Sequence, residues 1–471
     1  MTPFLLLSAV LAQPPADGEP AKLTVSPAVV PVPALKYELL PPARLKSPGN
    51  AAVGYYRAAL LRPAPPKDPA EAKRQEDTVL EWEEATIQNL PPSKIKEYLK
   101  GWQLALRELD DAARTEKCDW QQAGKLKPED IGSLLPAVQV DREMIRYLAL
   151  RTRLELAEGR LDDAVYSIQT GLQTGKNVAE GPSLIQALVG IALTNVVLGR
   201  VEEFVQQPGA PNLYWALAAL PRPLLDPRPA LDGEFRLTTS AIPGLADLEK
   251  GPVPAETADK VFDATVALLA LDEGKDNPLA GKAGRAVYLT YHLASAKKEL
   301  VARGWKPITV DAMPAAQVVL IRTAAIYREI WDDQAKLFFA PQPFARADFA
   351  RVKEKVQAVR KEAETDPLTA TFALVFPAVE KVHGAFARTE RKLAALQAVE
   401  AIRLHAAATG KLPAALDAVT AAPVPVDPGT GKPFVYTYTD GVATLSGPAP
   451  AGEPPVAPAA IRYEIRLRSV K

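Results

Sequence analysis

After Asp68-Pro69 the apolar residues recur at helical spacing and keep doing so for about three hundred residues, so the bulk of this chain has to fold as packed helices. Asp68 is a suitable N-cap, and proline is tolerated at the first helical position, which sets the start of the helical body there. The second helix is the clearest: Ile95, Tyr98, Leu99, Trp102, Leu106 and Leu109 form one continuous apolar stripe. Val352, Val356, Val359 and Ala363 repeat the spacing, with Lys353, Glu354, Lys355, Arg360, Lys361 and Glu362 on the solvated faces. Further helices are predicted near 142–158, 161–177, 183–206, 256–273, 283–303, 315–338 and 388–409.

The two ends read differently. Between Gln13 and Pro69 there are 13 prolines, which remove backbone donors and exclude long helices, so 13–69 is expected to be an extended strap docked on the body. Residues 1–12 form a short apolar run ending in Val10-Leu11-Ala12, a signal-peptide pattern. With only the amino terminus as its charged end, the run also fits a buried N-terminal segment of an unexported protein. Leu184–Leu198 carries Gln186, Thr194 and Asn195 and reads as a buried helix, so no transmembrane helix is predicted. Toward the other end, a helix stops at Gly410, and after the prolines 423 and 425 the period becomes two. Phe434, Tyr436 and Tyr438 share a face, Asp440-Gly441 supplies a tight turn, and Val442–Ser446 returns. Ile461, Tyr463, Ile465 and Leu467 alternate with Arg462, Glu464, Arg466 and Arg468 in a third strand. The expected fold is mainly α: an irregular helical-hairpin bundle, 70–387, followed by a small C-terminal helix-plus-three-stranded antiparallel β module, 388–471.

Composition removes whole classes of function. The 56 Lys+Arg balance the 56 Asp+Glu, and no basic block occurs, so nothing equips the chain to displace counterions from nucleic acid. One cysteine, Cys118, forms no internal disulfide, and three histidines, His292, His383 and His405, are few for metal or base chemistry. There is no Gly-x-Ser-x-Gly, no His-Glu-x-x-His and no Gly-x-Gly-x-x-Gly, and Gly171-Leu-Gln-Thr-Gly-Lys-Asn177 is one residue short of a phosphate loop. The carboxylate groups Glu81/Glu83/Glu84, Asp110/Asp111 and Asp332/Asp333 are adjacent on helices, where they point apart, and they read as solvated faces. No cofactor and no catalytic residue is nominated.

Three resemblances follow from particular residues. Residues 145–172, containing Leu154–Leu172 with Gly159 as a helix break and Ala164 and Gly171 as small packing residues, are similar to half of a tetratricopeptide repeat, without a second copy at the repeat period. Leu45–Tyr56, Gly181–Ala192 and Gln207–Leu225 together resemble uncharacterised secreted helical proteins of planctomycete type, which implies export and a helical body and supplies no catalytic residues. Within the last of these segments Asn212, Tyr214 and Trp215 read as a short helix capping the bundle, with a ligand or interaction surface as the alternative. The order helix, Gly-Lys-Leu-Pro break, Asp427-Pro-Gly-Thr-Gly-Lys-Pro-Phe resembles the globular region of type II secretion pseudopilins. Some relatives bind calcium in this loop, which makes Asp427 and Asp440 the candidate oxygen donors for a metal; two donors fall short of the six to eight that calcium takes. Two functions remain open: a non-enzymatic exported scaffold with an unknown protein or peptide partner, and a carboxylate-dependent hydrolase acting on cell-envelope polymers with acid and base from different helices.

Overall fold

Proline spacing decides where regular structure first appears. No proline lies between Pro48 and Pro63, and Ala51–Leu61 forms helix α1, capped by Asn50, whose side chain accepts from the Ala52 amide at 3.1 Å. The segment expected to be extended therefore carries an α-helix in its longest proline-free stretch. The structure is a computed structural model describing residues 20–122, 131–240, 242–273, 279, 281–363, 366, 368–369, 379–449 and 460–468; the apolar run 1–12 lies outside the described residues. The protein is 64% helical, with a four-stranded sheet and two two-stranded ones among the described residues: a mainly α fold with a β module. It divides into two units, one of Gly124–Ile131 and Leu231–His383 and the other of Met1–Ala123, Gly132–Ala230 and Gly384–Lys471.

In the larger unit the chain runs β1 (Ala21–Val25), β2 (Ser47–Asn50), α1, α2 (Pro69–Glu84), α3 (Pro92–Leu99), α4 (Gln103–Ala113), β3 (Thr115–Lys117), α5 (Ile131–Ala157), α6 (Leu161–Ala179), α7 (Leu184–Phe204) and α8 (Tyr214–Ala218). Asp68 caps α2 through the Ala70 amide with Pro69 in the first turn. The apolar stripe predicted as one helix belongs to two: Ile95, Leu99, Trp102, Leu106 and Leu109 are all buried, but the chain turns at Lys100–Trp102 between α3 and α4. Periodicity of burial survives such a break, because it keeps the same face inward. The C-terminus of α2 is closed by a side chain from α5. Arg153, 2% exposed, donates to the backbone carbonyls of Trp82, Glu83 and Ala85, placing a cation at the negative end of the helix.

α6 and α7 pack closest, and glycines permit it. A Cβ on Gly190 would lie 2.2 Å from the backbone nitrogen of Ala179, and one on Gly175 would lie 2.4 Å from the Thr194 hydroxyl. Gly171 likewise faces Val197 of α7 and Leu148 of α5, so this small residue serves two helix contacts. α7 is long and apolar enough to cross a membrane by length and composition, and 72% of that apolar window is buried inside the protein.

The second unit holds α9 (Arg228–Ser240, entering from the first), α10 (Leu245–Leu248), α11 (Ala255–Glu273), α12 (Lys282–Ala302), α13 (Pro307–Asp311), α14 (Ala315–Ala335) and α15 (Gln342–Ala363). Val352 and Val356 of α15 are buried as their spacing predicted. Gln317 on α14 is fully buried and fully bonded: its amide donates to the carbonyls of Leu248 and Gly251, both at 2.7 Å, and its oxygen accepts from Val253 at 3.1 Å.

The last helix, α16 (Val379–Thr409), ends as expected at Gly410, which has φ +75°. It is followed by β4 (Val426–Asp427), β5 (Lys432–Pro433), β6 (Val435–Thr439), β7 (Val442–Gly447) and β8 (Ile461–Leu467). The hairpin β6–β7 turns at Asp440 and Gly441 with φ +51° and +79°, and β8 pairs antiparallel with β7. A fourth strand, unforeseen in the sequence, completes the sheet. β1 pairs parallel with β8, Ala21 opposite Tyr463 and Val25 opposite Leu467, in the order β1-β8-β7-β6. Leu23 and Val25 are its buried residues.

Gly190→Ala tests the α6–α7 contact, because the added methyl meets backbone that no rotamer change moves. It should cost on the order of 1 to 3 kcal/mol, read as a lowered thermal midpoint, while Gly199→Ala, with open space around it, should leave the midpoint unchanged.

Candidate functional site

The residues singled out in the sequence are mostly interior. Asn212 is 3% exposed; its amide donates to the Glu400 carbonyl at 2.9 Å and its oxygen accepts from the Tyr214 amide at 2.9 Å. Tyr214, also buried, donates through its hydroxyl to the Pro423 carbonyl at 2.6 Å and packs with Ala401, Leu404, Val419 and Ala422. As an interaction surface, Asn212 and Tyr214 are therefore corrected: they fasten the 210–218 segment to α16. Only Trp215, 38% exposed and edge-on to Tyr214, reaches solvent.

The metal candidates are corrected in the same way. Asp427 is fully buried, and its two carboxylate oxygens accept from Arg391 Nε at 2.8 Å and Nη2 at 2.7 Å. It also accepts from the Gly429 amide at 2.9 Å, while Arg391 continues to the Pro448 carbonyl. A carboxylate bonded on both oxygens by a guanidinium is a structural anchor and not a calcium ligand. Asp440 occupies the hairpin turn. Among the described residues no group of three or more His, Cys, Asp or Glu side chains is placed to hold a metal.

Adjacent carboxylates do point apart, but one of them points inward. Asp110 is 9% exposed and receives Arg151 on both oxygens at 2.8 Å and the Thr170 hydroxyl at 2.7 Å. Close by, Glu155 accepts from the Ser167 hydroxyl at 2.6 Å, and burial pushes its carboxyl up to about 7 against the pull of Arg151. The reading of Asp110 as solvated fails because its partner arginine lies on another helix, invisible to local spacing. Burial pushes the Cys118 thiol up to about 12, leaving it un-ionised at neutral pH.

What the sequence did not nominate is a cleft of about 560 Å³ in the larger unit. One wall is the link Arg62–Pro66 between α1 and α2, where Pro63, Pro65 and Pro66 hold the backbone extended and offer no amide donors. The floor is aromatic: Trp102 stacks on Tyr147 with centroids 3.7 Å apart, and the hydroxyls of Tyr98 and Tyr147 lie 3.2 Å from each other. Burial raises the Tyr147 phenol well above its ordinary value, so it stays neutral. Glu71, Glu76 and Glu143 supply the charge. Arg62 donates to Glu143 at 2.8 Å; Arg146 donates to both oxygens of Glu76, at 2.8 and 2.9 Å, and also grips Glu83. The available signal was the proline cluster between two helices, together with Trp102 falling at the turn that breaks the stripe.

The chain matches no protein-family model, no curated protein and no solved structure in these three comparisons.

None of the three histidines lines this cleft. His292 packs tilted against Tyr288 with centroids 4.3 Å apart, and His405 lies half-buried on α16. His383, 5% exposed, sits between Phe338 and Phe349 with no partner for Nε2 among the described residues, and burial lowers its pKa from 6.5 to about 4. The folded state therefore binds this proton more weakly than the unfolded state. Its neutral form stabilises fully above about pH 6.5, and that stability is lost as pH falls toward 4, by up to about 3 kcal/mol. Denaturant unfolding of wild type and His383→Gln at pH 7 and pH 4.5 should show the smaller loss in the variant; equal losses would contradict the assignment.

Proposed function

We propose that the protein is an exported, periplasmic or extracellular, non-enzymatic scaffold that binds a protein or peptide partner in the cleft beside the proline link. The β module would supply a second contact. Export is supported by the Val10-Leu11-Ala12 pattern. One observation carries the binding reading over hydrolysis: two of the three cleft carboxylates are already bonded by arginines. Hydrolysis of a glycosidic bond needs one carboxyl free to deliver a proton and another free to activate water or attack. Glu76 and Glu143 are committed to Arg146 and Arg62, which leaves Glu71 as the one of the three carboxylates with no ion pair among the described residues. A proline-rich wall over an aromatic floor instead suits an extended peptide segment packed against the rings, since aromatic-lined grooves take extended peptides.

A photoactivatable amino acid at Gln75, in the cleft, and another at Arg107, outside it, separates the readings in an envelope fraction. Adducts of discrete mass from position 75 and none from 107 are expected. Two results would overturn the proposal: no adduct at 75, or release of soluble fragments from envelope polymer by wild type that Glu143→Gln abolishes.

A further inference from the structure

A two-residue hairpin determines which backbone groups of β6 are occupied. With Asp440 and Gly441 as the turn, Thr439 and Val442 form the hydrogen-bonded pair beside it. Antiparallel alternation then directs the amide and carbonyl groups of Thr439, Thr437 and Val435 to β7, and those of Tyr438 and Tyr436 away from it. β6 is the outer strand in the order β1-β8-β7-β6, and among the described residues no backbone group meets Tyr436 or Tyr438 on that side. Exposed edges are ordinarily guarded by lysine, proline or a bulge. Val435-Tyr-Thr-Tyr-Thr439 has none of these within the strand; it consists of β-formers, with Val435 53% and Tyr438 39% exposed.

We propose that β6 pairs antiparallel with β6 of a second copy of this chain, about a two-fold axis at Thr437. In that register Tyr436 lies opposite Tyr438 of the other copy, and the outward groups of both strands close four N–H···O=C bonds. Thr437 then faces itself at a non-hydrogen-bonded position, where opposed Cα atoms approach to about 4.5 Å. A charged residue there would repel its own image, and threonine does not. Charge chooses the direction. Lys432 precedes the strand and Asp440 follows it, so an antiparallel copy brings each lysine toward the other chain's aspartate, whereas a parallel copy would set like against like. This strand order joins the two four-stranded sheets into one across the axis.

The full chain is tested with Cys118 replaced by serine, so that Thr437→Cys is its single thiol. Mild oxidation should give a disulfide-linked dimer with Thr437→Cys and not with Thr439→Cys, which lies off the axis. In sedimentation, the chain with Thr437 intact should dimerise in the micromolar range, and Thr437→Glu should weaken that at least tenfold, with circular dichroism unchanged and the two thermal midpoints converging on dilution below the dimer range. A monomer throughout that range, no Thr437→Cys dimer, equal cross-linking at 439, or a dimer that survives Thr437→Glu would each overturn the proposal.

Discussion

Arg403 has no contact with water, and a guanidinium in that position must find acceptors for its five N–H groups within the protein or destabilise it. It finds them on segments far apart in sequence: Glu400 Oε1 at 2.7 Å on its own helix, the Ala210 carbonyl at 2.7 Å, the Pro211 carbonyl at 3.5 Å and the Ser26 carbonyl at 3.0 Å. Glu400, also fully buried, spends its other oxygen on the Leu213 amide. Burial keeps that carboxyl above its usual range against the opposing pull of Arg403 and the amide. Three turns earlier on α16, Arg391 repeats the device with Asp427 and the Pro448 carbonyl. One helix thus holds the start of the chain, the 210–218 segment and the loop before the hairpin.

The rest of the larger unit follows from that fastening. β1 reaches the sheet because Ser26 and Ala28 are tied to Arg403, the latter through its amide to the Arg403 carbonyl at 3.3 Å, and the amide of Arg468, just past β8, bonds the Val25 carbonyl at the same end of β1. A parallel pairing between residues 21–25 and 463–467 has a very large loop to close, so it needs such ties to persist. The cleft is organised by the same means on a smaller scale. Arg146 and Arg62 fix the glutamates, so the proline link is held at its Arg62 end to α5, and Arg153 fixes the far end of α2.

Elements whose cause is local were legible in the sequence. The alternation of 461–467, the Asp440-Gly441 turn, the Asp68-Pro69 start and the Gly410 stop each depend on a few neighbouring residues, and each appears where its chemistry placed it. Elements whose cause is distant were not. Ala21–Val25 is too short and too close to prolines to announce a strand, and it becomes one only because β8 offers an edge. Arg391, Glu400, Arg403 and Asp110 look like solvated charges by spacing, and their partners lie on other elements. The same limit hid the candidate site: no pattern within α2, α3 or α5 tells that Glu76, Tyr98 and Glu143 line one cleft.

If Arg403 is a tie among segments and not merely one half of an ion pair, neutralising its partner cannot compensate for its loss. The direct measurement is the unfolding free energy of Arg403→Met and of Glu400→Gln/Arg403→Met. The single variant should lose about 3 to 5 kcal/mol. The double variant should recover only the part due to the stranded carboxylate, because the carbonyls of Ser26 and Ala210 remain without a donor. A double variant as stable as wild type, or a single variant that loses nothing, would contradict the role assigned to this residue.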